Sequence, residues 1–166
     1  MNFLDHTLNW YRGEVFEALI SAGFGIALIL LALLFWRMGT TQGAQALLFP
    51  LLVLGLILGG SGIYNAYSNR AKAVQLEQNT TEVNAAFIQA EKERVEGFQY
   101  LYTFTKFLAT FLFTVALVIF FFVSGKIWQA IAIAMIIMGL SGLVIDYFSK
   151  ERADTYYEII LKQGEQ

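Results

Sequence analysis

The chain has 166 residues, 57% of them hydrophobic and 14% charged, with a formal net charge of -2. Ordinary soluble domains carry roughly 25% charged residues, and a water-soluble fold this small has too little interior to hide so much apolar surface. The charge gives no reason to expect nucleic acid, and with no Cys and a single His there is no disulfide framework, zinc-thiolate site, cysteine nucleophile or multi-histidine metal site.

Residues 1–13 contain no long apolar run. Phe3, Leu4, Leu8, Tyr11 and Val15 fall near helical spacing, with Asn2, Asp5, His6, Asn9 and Arg12 on other faces. That pattern predicts a short amphipathic helix at a membrane surface, weakly capped by Asn2 and Asp5. Ala18 to Trp36 then carries no charge. About 20 residues rising ~1.5 Å each cross ~30 Å of hydrocarbon. The run is too long for a signal peptide, and acidic Asp5, Glu14 and Glu17 precede it, so it reads as a retained span.

Arg37 to Gly43 predicts a tight polar turn, and the second span covers Ala44 to Ala66, with a local kink at Pro50. Gly55 and Gly59 form a small-xxx-small pair that lets two backbones approach closely. Such a pair serves either a homodimer or packing within one chain, and the second reading is preferred. Tyr67, Ala71 and Val74 extend an apolar stripe past the span, and Gln78-Asn79-Thr80-Thr81 breaks it.

A new helix is expected from Thr81 or Asn84, its stripe marked by Ile88, Val95, Phe98 and Tyr102. Glu91, Glu93 and Glu96 alternate with Lys92 and Arg94; residues two apart on a helix diverge, so these read as a solvated face rather than metal ligands. The third span runs from Thr103 to Val123, a turn follows at Ser124-Gly125-Lys126, and the fourth runs from Ile127 to Ile145. A last amphipathic helix covers Tyr147 to Leu161, with Ala153, Tyr156, Tyr157 and Ile160 on its apolar stripe.

The expected fold is an all-α membrane protein. Its four transmembrane helices form two tandem hairpins, 14–66 and 103–148, around a helical connector at 67–102, with an interfacial segment at 1–13 and a C-terminal helix and tail at 149–166. Gly59-Gly60-Ser61-Gly62-Ile63 matches Gly139-Leu140-Ser141-Gly142-Leu143, and Tyr67, Arg70, Lys72 and Ala73 match Tyr147, Lys150, Arg152 and Ala153. These matches suggest a parallel internal repeat about an axis along the membrane normal.

Arg12, Arg70, Lys72, Lys92, Arg94, Lys106, Lys150, Arg152 and Lys162 lie on the side of the termini and connector, and only Arg37 and Lys126 lie in the turns. The positive-inside rule then places both termini in the cytoplasm of a bacterial inner membrane. On that side the sequon Asn79-Thr80-Thr81 is a chance match.

No charged residue lies between Ala18 and Trp36, Ala44 and Ala66, Phe107 and Val123, or Ile127 and Ile145, which argues against a proton-coupled transporter or an intramembrane protease. Thr103, Lys106, Thr110 and Thr114 share one helix face, and Asp146 lies at a depth where it can pair with Lys106. This set is either the polar lining of a pore or small-molecule pocket, or threonines bonded to their own helix with Lys106 snorkelling to the headgroups; the second is preferred. Helix packing falls to Gly55, Gly59, Gly62, Gly139 and Gly142, and a cytoplasmic contact surface to Ile88, Val95, Phe98, Tyr156 and Ile160. No phosphate-binding loop, HExxH or GxSxG motif occurs, so neither enzymatic activity nor a cofactor is expected. The expected function is a structural or interaction component working through helix–helix contacts. It would be homo-oligomeric, with membrane lipid and a membrane protein as partners; an immunity protein against a membrane-targeting toxin would belong to this class. An oligomeric passive channel or small transporter is the alternative.

Overall fold

Asn2 opens α1 (Phe3–Met38): its side chain accepts from the Leu4 N–H, and Asp5 accepts from the Asn2 N–H in a reciprocal capping box. In this computed structural model, which describes residues 2–79 and 83–164, α1 then runs unbroken for 36 residues. Residues 3–13 therefore belong to the same helix as the first apolar run instead of forming a separate one. Thr41 caps α2 (Gln42–Ala46) by accepting from Ala44 N–H, and α3 (Leu48–Asn79) follows directly. The break between them has a local cause. Pro50 has no N–H to offer the Ala46 carbonyl, and its ring crowds that residue. Asn84 accepts from Phe87 N–H to start α4 (Ala85–Phe122), and Gly125, at φ +122°, makes the turn into α5 (Lys126–Gly164). The expected break at Gln78–Thr81 and its sequon fall partly on residues 80–82, outside the described residues.

All the regular structure among the described residues is helical. Four helices, counting α2 and α3 as one, are long and apolar enough to cross a membrane. At 36, 38 and 39 residues, α1, α4 and α5 reach about 54–58 Å, nearly twice the ~30 Å of a hydrocarbon core. Each therefore carries an extension beyond an apolar run, toward the end of the molecule that holds both termini.

The closest packing is between antiparallel α1 and α3. A Cβ built on Gly25 would lie 2.2 Å from the Gly59 nitrogen, and one on Gly62 would lie 2.5 Å from the Ala22 nitrogen. One on Gly55 would lie 2.7 Å from the Gly25 carbonyl oxygen. Gly55 and Gly59 are thus used within the chain, against Gly25, as small residues must be where helix axes nearly touch. Gly59 itself is less confined, since a Cβ there would meet its nearest atom at 3.8 Å.

The α4–α5 pair is looser. Gly139 faces the Phe113 ring and Gly142 faces Thr105, both side-chain contacts rather than backbone ones. Helix α1 also runs antiparallel to α5, from Thr7 beside Tyr156 to the cluster of Leu28, Ala32, Leu51 and Leu54, on which Ala134 and Met138 pack. Among the described residues α3 and α4 make no comparable approach. A two-fold relating the hairpins would make those two contacts equivalent, so the packing is unequal about the axis expected from the repeat.

Two apolar cores result. Leu28, Ala32, Leu51 and Leu54 fill the turn end, and Phe3, Val95, Tyr156 and Ile160 fill the terminal end. The extension of α3 corrects one expectation. Tyr67 is exposed, and the face toward α1 instead passes through Ala66, with Ala73 and the half-exposed Val74 across a groove from Leu8 and Val15. Its phase follows from Gly55, Gly59 and Gly62 by steps of three and four.

Candidate functional site

At the level where α1 turns from apolar to charged, four helices surround a cavity of about 440 Å3. Steps of three and four residues aim Glu14, Glu17 and Ser21 into it from α1, and steps of four aim Ser61, Asn65 and Asn69 from α3. Helix α5 contributes Asp146 and Ser149, and α4 contributes Phe98, Leu101 and Tyr102.

Arg152 ties α5 to α1 here. Its Nη2 lies 2.7 Å from Glu14 Oε1 and 3.0 Å from Glu17 Oε2. Gly13 makes room for it, since a Cβ there would stand 2.8 Å from Arg152 Nη1. Ser149 donates to Glu14 Oε1 at 3.4 Å, and the Tyr102 hydroxyl lies 3.2 Å from Ser149 Oγ. Four buried polar atoms of this neighbourhood find no hydrogen-bond partner in the protein: Glu17 Oε1, Asp146 Oδ2, Trp10 Nε1 and Arg152 Nε. Buried polar atoms are seldom left so.

Arg152→Gln is expected to destabilise the chain by about 1–3 kcal/mol by leaving Glu14 and Glu17 facing each other unpaired. This is below the 3–5 kcal/mol of a fully buried pair, because the Arg152 side chain is 30% exposed. Gly13→Ala should give a smaller loss in the same direction by displacing the guanidinium. Unfolding by SDS titration in detergent micelles measures both, and parental stability in Arg152→Gln would remove the pair from the account.

A second polar network sits closer to the termini. Glu91 was expected on a solvated face; it is 6% exposed. It lies three residues after Ile88 and four before Val95, squarely on the apolar stripe, so the helix phase carries it inward. Arg94 meets it at 2.5 Å, and the Tyr156 hydroxyl donates to its Oε2 at 2.9 Å. That same hydroxyl lies 2.7 Å from Thr7 Oγ1. The Arg94 guanidinium lies over the rings of Trp10, at 4.2 Å, and Tyr11, at 5.0 Å. Burial works against the charge on Arg94, but its bonds to Glu91 outweigh it and its pKa is raised. Burial also pushes the Tyr156 hydroxyl up, the Thr7 bond opposes, and the Glu91 charge adds to the rise, so Tyr156 stays a donor. Glu93 and Glu96 do remain exposed.

The residues singled out from sequence fall in three places. Ile88, Val95, Phe98, Tyr156 and Ile160 meet in the terminal-end core of the single chain, where Val95 and Ile160 are fully buried. Gly55, Gly59, Gly62, Gly139 and Gly142 face partner helices within the chain. Thr103, Lys106, Thr110 and Thr114 lie exposed on the outer surface of α4, with Lys106 at a cleft on the flank of α4 and α5. Thr110 donates to the Lys106 carbonyl and Thr114 to the Thr110 carbonyl, both at 2.8 Å. The ion pair expected between Lys106 and Asp146 does not form among the described residues, although both line a cleft of about 560 Å3 on the flank of α4 and α5. Asp146 turns inward beside Thr105, and Lys106 lies about 100° further round α4.

Sequence reasoning missed Glu14, Glu17 and Arg152 as a unit, Gly13 as the gap that admits Arg152, and Gly25 as the counterpart of Gly55 and Gly59. The spacing of Asp146, Ser149 and Arg152 did carry a signal: three polar residues one turn apart at the end of an apolar run. Comparison with known protein families, curated proteins and solved structures gave no match. Function therefore rests on what these residues can do. Among the described residues, no three Asp, Glu or His side chains converge as a metal site. These residues offer charge and hydrogen bonding around a small, partly open cavity.

Proposed function

We propose that this is a multi-pass protein of the bacterial inner membrane, with both termini cytoplasmic, acting as a non-enzymatic component that works through helix–helix contacts. It assembles with copies of itself in the membrane. The observation that supports this most is the state of α4. Among the described residues only α5 packs along its apolar length, and the outer face so left carries Thr103, Lys106, Thr110 and Thr114 beside Phe107 and Phe111. Small hydroxyl side chains on a membrane helix favour a close helix partner. A lysine beside them is costly against hydrocarbon and gains from a polar neighbour or the headgroups.

The contacts that complete the terminal end are already made within one chain, so association falls to the apolar lengths rather than to Val95 or Ile160. An immunity protein against a membrane-targeting toxin fits this mode of action, because such a protein needs helix surfaces and no active site.

A passive channel is the second reading, favoured by the same stripe: several copies turning α4 inward would line a pore with threonine hydroxyls. Oxidative cross-linking of Thr110→Cys and of Phe122→Cys in native membranes tests the assembly. Dimer is expected from Thr110→Cys. Monomer throughout, with a monomeric mass in detergent, would overturn association through α4. Reconstitution separates the two readings: tight vesicles support the scaffold, and solute flux supports the channel.

A further inference from the structure

We propose that the groove between α3 and α5 at the turn end binds one anionic phospholipid, with an acyl chain in the groove and the phosphate at Lys126. This rests on the reading of the chain as a membrane protein. It stands apart from association through α4, because the groove lies on the seam of α3 and α5.

The groove holds about 360 Å3, and every residue lining it is apolar. Phe49, Val53 and Ile57 form its wall on α3, and Ile127, Ile131 and Met135 its wall on α5. Leu54, Ala134 and Met138, which also line it, belong to the turn-end core or pack on it. Met135 and Met138 have unbranched side chains that adapt to an irregular guest. At ~1.5 Å per residue, Phe49 to Ile57 is about 12 Å of helix and Ile127 to Met138 about 17 Å. One leaflet's share of a ~30 Å hydrocarbon core is about 15 Å. The groove therefore has the length and the polarity of the acyl region of one leaflet, the leaflet on the turn side.

Charge at the turn end selects the headgroup. Arg37 and Lys126 are its cations, and it holds no carboxylate, since no Asp or Glu occurs between residues 18 and 76 or between 97 and 145. Arg37 stands in the last turn of α1, at the negative end of the helix dipole, which accounts for its charge. Lys126 stands in the first turn of α5, next to the groove residue Ile127, where the dipole disfavours a cation. It is exposed, its Nζ donates to Gln129 Oε1 at 3.3 Å, and it forms no ion pair among the described residues. A lipid phosphate supplies the missing anion. A second copy in the same membrane orientation does not, because it brings further cations and no carboxylate to that level.

Native mass spectrometry of the full chain in a mild detergent, titrated with phosphatidylglycerol or with phosphatidylcholine of the same chain length, tests this. One phosphatidylglycerol per chain is expected, half-saturating at a concentration roughly fivefold below that of phosphatidylcholine. Lys126→Gln should remove that preference and leave phosphatidylcholine unchanged. Val53→Trp, which fills the groove from an exposed position, should weaken both lipids. Arg37→Gln should change neither, and glycerol 3-phosphate should not compete, having no acyl chain. Helicity by circular dichroism identifies a variant that fails to fold, and the other variant then decides. Equal binding of the two lipids, parental binding in a folded Lys126→Gln or Val53→Trp variant, or an equal loss in Arg37→Gln would overturn the proposal. So would a dimer that Val53→Trp dissociates, since a second copy would then fill the groove. Alkaline carbonate extraction separates the two readings: a chain released from membranes overturns both, and a chain retained there without lipid preference overturns this proposal alone.

Discussion

Gly25→Ala is expected to cost about 3 kcal/mol or more, the upper end of overpacking losses. The new methyl would sit 2.2 Å from the Gly59 nitrogen and 2.7 Å from the Gly55 carbonyl oxygen. These are backbone atoms, so no rotamer change relieves the clash; α1 and α3 have to move apart along their length. Separation would also loosen Leu28 and Ala32 against Leu51 and Leu54, because one helix pair carries both contacts. Gly23→Ala is the internal control. It lies two residues away, where an added methyl meets nothing within 4 Å. Near-parental stability is expected there, since a helical Gly→Ala change favours the helix by up to about 1 kcal/mol. SDS-titration unfolding followed by far-ultraviolet circular dichroism compares the two. Equal midpoints would mean that the glycine crossing does not hold α1 to α3.

The second large effect is at Arg94. Arg94→Ala strands the Glu91 carboxylate, at 6% exposure, with Tyr156 as its remaining donor. Breaking a buried ion pair by removing one partner costs about 3–5 kcal/mol, chiefly the desolvation of the charge left behind. The guanidinium also lies over Trp10 and Tyr11, so its loss removes packing as well as charge. The double change Glu91→Met with Arg94→Met is expected to regain most of that loss, because an apolar pair of similar volume needs no partner. If the double variant were as unstable as Arg94→Ala, the bonds to Tyr156 and Thr7 would carry the stability and not the ion pair.

Local chemistry made much of the architecture legible. Four uninterrupted apolar runs require four long helices whatever surrounds them. Asn2, Thr41, Asn84, Pro50 and Gly125 each act on the backbone within a few residues, so helix starts and turns could be read without a partner in view. The glycines Gly55, Gly59 and Gly62 announced a close crossing by their spacing alone. They could not say which helix they cross, because Gly25 is equally glycine-like in its own run and the pairing depends on the turn that folds α3 back along α1.

What only the tertiary structure decided concerns polar residues. Glu91 reads as solvated beside Lys92, Glu93 and Arg94; its place between Ile88 and Val95 turns it inward, and only the packing of α4 against α1 and α5 brings Tyr156, and through it Thr7, to meet it. Thr103, Lys106, Thr110 and Thr114 share a face that sequence identifies correctly, but periodicity is silent on whether a face looks inward or outward. Glu14 and Arg152 lie near opposite ends of the chain, and their pairing exists because α1 and α5 run antiparallel past each other with Gly13 leaving a gap. Hydropathy acts residue by residue along a helix. A charge pair or a cavity depends on which helices are neighbours and how each is rotated, and that is set by the summed packing of the whole bundle.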